Sequence, residues 1–154
     1  MIISKAEVVG RFTIRPERVS DFVGPKGAHP EVICDFQALA AKLLGCPASR
    51  VSLLLRPGSS NPDRALVKPG RWHTDTYAGP ECLICVLGPE PTEFLLGEYA
   101  DEYVAAPERL GELEGVLSFW RPAEAEVVLL DRRTVHRRPR LTSRHRVFLL
   151  ASKV

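Results

Sequence analysis

The chain has 154 residues, of which 45% are hydrophobic, and a formal net charge of +2. That length supports one well-formed core and falls short of two ordinary domains, while the near-balanced charge excludes a molecule that is polyelectrolyte throughout. No apolar run approaches the length of a membrane span, so no membrane partner is expected.

The N-terminal stretch to about residue 28 is mixed in character, with a turn signal in "GPKG" near its end. "MIISKAEVVG" lacks the long apolar segment and small-residue cleavage site of a secretory signal, so a soluble, cytoplasmic protein with reduced thiols is expected. The clearest helix follows in "HPEVICDFQALAAKLLGCP". There Val32, Ile33, Phe36, Leu39, Ala40, Leu43 and Leu44 recur at helical spacing on one face. Pro30 and Glu31 suit its first turn, and Gly45 and Pro47 end it.

From residue 50 the signals are those of strands. "RVSLLLR", "RALVKPGRWHTD", "ECLICVLG", "TEFLLG", "EAEVVLLD" and "RVFLLAS" are short β-branched and aliphatic runs separated by Gly, Pro, Asn and Asp. Residues 97–125 read as an insertion between strands, with a short helix begun by Pro107. The expectation is a single domain that is mainly β with a flanking helix, and a jelly roll is one such architecture. Residues 1–49 form an N-terminal segment with the supporting helix, and residues 50–154 form the jelly-roll core.

Cys82-x-x-Cys85 invites a zinc or redox reading. It lies in an apolar run that reads as a buried strand, where positions i and i+3 point to opposite faces. No second Cys/His pair stands at zinc-finger spacing, so core thiols are expected.

Metal chemistry is carried by "RWHTDTYAG", residues 71–79. On an extended strand His73 and Asp75 share a face, and Trp72 points to the other, toward core. A distant third ligand is available in His136, which follows the strand "EAEVVLLD". Two imidazoles and one carboxylate leave open positions on an octahedral ion, which suits non-haem Fe(II). The competing reading makes His73 a polar strand end, Asp75 a turn residue and His136 part of a solvated loop.

Seven arginines and a single acid lie between Asp131 and Arg146. Arg132, Arg133, Arg137, Arg138 and Arg140 read mostly as a solvated face, or as a rim that attracts anions. A small-molecule or anionic substrate suits such a rim, and so does nucleic acid. Asp131 reads as a turn former.

Arg146 stands ten residues after His136 and opens "RVFLLAS". With it the chain resembles the Fe(II)- and 2-oxoglutarate-dependent dioxygenases. Their pattern is His-x-Asp, a distal His and an Arg on the last core strand. The resemblance spans residues 50–154. "WHTDTYAGPECLICVLGPEPTEFLLG" is also similar to a group of small, uncharacterised bacterial proteins related to that fold. The resemblance implies a double-stranded β-helix (a cupin-like jelly roll) with Fe(II) on His73, Asp75 and His136. It further implies 2-oxoglutarate chelating the metal, its distal carboxylate held by Arg146, with Arg144 as the alternative anchor. Tyr77 is a candidate hydrogen-bond donor to the cosubstrate, or a structural tyrosine. The function implied is hydroxylation of an unidentified substrate. The alternative is a metal-binding jelly roll, a sensor or a zinc module, since zinc accepts the same donors.

Overall fold

In the computed structural model, residues 2–13, 30–57, 68–75, 80–99, 106–113, 118–141 and 147–154 are described. Arg144, Arg146 and Tyr77 lie outside them.

Among the described residues there are ten strands and one α-helix: β1 (Ile2–Ser4), β2 (Ala6–Arg11), α1 (Pro30–Leu44), β3 (Val51–Pro57), β4 (Glu81–Leu87), β5 (Glu93–Leu95), β6 (Gly97–Tyr99), β7 (Phe119–Trp120), β8 (Glu126–Asp131), β9 (His136–Arg137) and β10 (Val147–Lys153). A large antiparallel sheet has the order β2-β8-β4-β10-β3, and a small one has β7-β5-β9. Residues 70–75 extend the small sheet beside β9, where His73 and His136 exchange backbone hydrogen bonds of 3.0 and 2.9 Å. The path from β3 crosses to residues 70–75, returns to β4, crosses to β5 and β7, and returns to β8. It then crosses to β9 and ends on β10 in the large sheet. This alternation between two antiparallel sheets is a double-stranded β-helix, a cupin-like jelly roll.

The large sheet is covered on both faces. Phe36 and Ala40 of α1 pack with Leu83, Cys85 and Val127 on its outer face. On its inner face Cys82, Ile84, Val128 and Leu150 pack with Phe94 of the small sheet. Strand β4 therefore reads as an uninterrupted apolar run, buried from Cys82 to Leu87, where a half-exposed strand would alternate.

Helix α1 begins at Pro30 and ends before Gly45, whose φ of +65° is the left-handed stop that glycine adopts without steric cost. The N-terminal stretch contributes two strands that its composition does not announce. β2 joins the large sheet at its edge, bulged between Val8 and Gly10. Leu43 closes over Gly10, where a Cβ would sit 3.4 Å from its Cδ1. In residues 97–125 the short helix begun by Pro107 is present as the 3-10 helix Pro107–Leu113, but β6 and β7 belong to sheets, so this segment is only partly an insertion.

All four cysteines are free thiols. Cys82 faces the space between the sheets and Cys85 faces α1, as i, i+3 spacing on a strand requires. Burial, first of all, pushes both thiols up to about 12. Iodoacetamide at pH 8 should label Cys34, which is exposed, and spare Cys82 and Cys85 until denaturant is added. Mass spectrometry of the labelled protein checks this, and native labelling of Cys85 would contradict the packing. The raised values also fix a sign. The unfolded chain loses these protons from about pH 9, so their contribution to stability is whole below that pH and is lost as pH rises toward 12.

Candidate metal centre

Strand alternation gives the small sheet two unlike faces. On the inner face His73, His136, Phe94 and Trp120 form one row across residues 70–75 and the three strands β9, β5 and β7. His136 pairs with His73 on one side and Phe94 on the other, and Phe94 pairs with Trp120. Their rings touch in series. Centroids are 4.4 Å apart for His73–His136, 5.9 Å for His136–Phe94 and 5.3 Å for the stacked Phe94–Trp120 pair.

Asp75, two residues beyond His73, completes the site on the same face. Its Oδ2 lies 3.1 Å from His136 Nε2 and its Oδ1 lies 3.5 Å from His73 Nε2. One ligand atom from each of the three residues lies within 4.8 Å of the others. Asp75 and His136 are each 2% exposed, whereas half of the His73 side chain meets solvent. The site therefore has a buried floor and an open side.

The ring orientations are fixed by the backbone. His73 Nδ1 lies 2.9 Å from the Arg71 carbonyl, and His136 Nδ1 lies 3.1 Å from the Thr134 carbonyl. A carbonyl can only accept, so each Nδ1–H donates and each Nε2 faces Asp75. Metal-binding histidines are oriented in this way. Burial first, and the neighbouring His136 second, hold His73 below its ordinary 6.5. The Arg71 carbonyl and Asp75 oppose this shift without reversing it. At neutral pH His73 is thus in the uncharged form that a metal needs.

His136 is delivered by a tight turn out of β8. Asp131 Oδ1 accepts from Arg133 N at 2.8 Å, and the Thr134 hydroxyl accepts from Asp131 N at 3.1 Å and donates to the Lys5 carbonyl. Leu95 N donates to the Val135 carbonyl at 2.9 Å and ties the residue before His136 to β5. Asp131 is thus a turn former, as its sequence position suggests.

The outer face of the same sheet holds a buried ion pair that sequence reading misses. Glu93 Oε2 accepts from Arg137 Nε at 2.6 Å, and Glu93 Oε1 accepts from Arg121 Nη2 at 2.5 Å. The Arg137 guanidinium lies 4.2 Å from the Trp72 ring centre and 5.6 Å from that of Phe119. Arg137 is buried, which corrects its reading as part of a solvated face. Arg132, Arg133 and Arg140 are exposed. Trp72 is core, on the face opposite His73.

The donor set suits a divalent metal. Two imidazole nitrogens and one carboxylate converge from a single sheet face, and an octahedral ion held by them keeps further positions open. Zinc accepts the same donors.

No protein-family model matches the sequence, and a search of curated proteins gives no match. Solved structures are similar in fold. AviO1 from Streptomyces viridochromogenes Tue57 aligns over 99% of this chain and 90% of its own, with 15% identity and a TM-score of 0.51. EvdO2 from Micromonospora carbonacea var. aurantiaca, crystallised with 2-oxoglutarate, aligns over 99% of this chain and 69% of its own, at 14% identity and a TM-score of 0.40. SnoN from nogalamycin biosynthesis, a non-haem α-ketoglutarate-dependent epimerase, aligns over 77% of this chain and 54% of its own, at 18% identity and a TM-score of 0.41.

Proposed function

We propose that the protein is an Fe(II)- and 2-oxoglutarate-dependent oxygenase that hydroxylates a small-molecule substrate. The observation that carries this reading is the convergence of His73, Asp75 and His136, both rings tethered at Nδ1 and both Nε2 atoms turned to one carboxylate. The His-x-Asp…His…Arg order of the sequence supports it, and the jelly roll is compatible with it.

His73, Asp75 and His136 would hold Fe(II). With 2-oxoglutarate bound, that metal supplies O2 activation coupled to decarboxylation of the cosubstrate to succinate and CO2. The chain's own part is binding, orientation and exclusion of water. Asp75 gives the site its anionic ligand. The Thr134 and Arg71 carbonyls hold the rings, and the Phe94 ring packs beside His136 so that the floor stays dry. The open side at His73 is where cosubstrate and substrate would enter. Arg146, or Arg144 two residues earlier, would grip the distal carboxylate of 2-oxoglutarate through a planar guanidinium. Tyr77 would stand near the cosubstrate.

Anaerobic addition of Fe(II) and then 2-oxoglutarate tests the reading, because a bidentate complex gives a visible charge-transfer band. Arg146→Ala should leave Fe(II) binding nearly intact and weaken 2-oxoglutarate binding by about 1.5–3 kcal/mol. The same loss from Arg144→Ala instead would move the anchor by two residues. A wild-type protein that binds metal but never 2-oxoglutarate would be a metal-binding jelly roll, and the oxygenase reading would fail.

A further inference from the structure

Each residue of the ligand row has a chain neighbour that points to the outer face of the small sheet. Behind His136 stands Arg137, behind His73 stands Trp72, and behind Phe94 stands Glu93. Glu93 and Arg137 are register partners across β5 and β9, 2% and 5% exposed, and ion-paired at 2.6 Å. The guanidinium is clamped between the Trp72 and Phe119 rings. We infer that this pair is a register lock: Glu93 and Arg137 are positioning residues that set His136 beside His73, with its ring facing Asp75. The inference rests on the metal-centre reading of the inner face.

Stability alone does not account for the pair. Desolvating two charges offsets most of what their attraction returns, and apolar residues of equal volume commonly do as well. Selectivity among registers is another matter. β5 has three residues and β9 has two, so their ladder carries little register information by itself. A slip of two residues keeps the faces but sets Val135 or Pro139 opposite Glu93, and neither can pair with a carboxylate. A slip of one in one direction sets His136 there and removes it from the site. The other direction brings Arg138 to Glu93 but drives Arg137 into the apolar space against Phe94. Only the observed register pairs Glu93 with a cation on the outside and places an imidazole on the inside.

The test is the apolar double replacement Glu93→Leu with Arg137→Met. The metal-free melting temperature should be unchanged or higher. Co(II) affinity should fall tenfold to a hundredfold, the range for residues that orient ligands, and the Co(II) visible spectrum should change shape. Arg137→Lys, which keeps the charge, should retain most of the affinity. Wild-type affinity and spectrum in the double variant would overturn the inference, and so would a large loss of stability, which would make the pair a structural support. A wild type that binds no Co(II) defeats the metal-centre reading instead. The lock is then read in the metal-free protein by hydrogen exchange at the His73 and His136 amides. Faster exchange in the double variant supports the lock, and unchanged exchange overturns it.

Discussion

Asp75→Ala should abolish tight metal binding while leaving the metal-free fold close to its original melting temperature. The two effects separate because the carboxylate serves the site more than the core. Asp75 is 2% exposed and faces two imidazoles whose Nδ1 positions are already committed to backbone carbonyls. Burial already holds His73 uncharged at neutral pH, and the substitution takes a buried carboxylate out of the protein, so no charge is stranded on that ring. With metal the balance reverses, since Asp75 is the anionic member of the triad. Changes to residues that merely orient ligands cost about 10–100-fold in affinity, so loss of the ligand itself should exceed about a hundredfold. At metal concentrations about a hundred times the wild-type Kd, the wild type gains roughly 2.7 kcal/mol of stability. The variant should gain almost none. Titration calorimetry with Co(II), paired with thermal melts with and without metal, reads both. Affinity within about tenfold of wild type would show that Asp75 is not a ligand.

The second large effect lies on the opposite side of the large sheet and leaves the site alone. Phe36 is the one aromatic residue of α1 and is 1% exposed, with its ring edge-on to Phe12 at 5.2 Å. Ala40 and Ala41, both buried, follow it on the helix. Small side chains let the helix lie close to the sheet, and they cannot reach into a hole left by a missing ring. Phe36→Ala should therefore cost about 3–5 kcal/mol, or roughly 6–20 °C in melting temperature for a chain of this size. Metal affinity of the folded protein should not change, because the ligands stand on the small sheet. A loss below about 1 kcal/mol would mean that α1 is not seated as described.

How much of this is legible in the sequence follows from where each signal resides. The His73–Asp75 pair is legible because strand alternation is local, and α1 is legible because its apolar spacing runs for four turns. β1 and β2 are not. β2 lies at a sheet edge, its burial does not alternate, and Gly10 interrupts it. β7 has only two residues, too few for any period. Arg137 sits in a run of arginines, and its partner Glu93 is 44 residues away, so nothing local distinguishes it from its solvated neighbours. Buried ion pairs are long-range facts, and composition carries no trace of them.

The position of β10 has a consequence for how the molecule comes to be folded. It pairs with β3 on one side and β4 on the other, although both precede it, and Lys153 lies opposite Val51 across more than a hundred residues of chain. Until β10 arrives, β3 and β4 cannot be neighbours, and each has an unsatisfied backbone edge. Such high contact order belongs with folding times of about milliseconds to seconds. During that interval "SLLLR" and "CLICVL" are exposed as sticky, unpaired strands, and intermolecular pairing competes with closure of the sheet. Yield of soluble protein is therefore governed by temperature and concentration during synthesis as much as by the stability of the finished fold.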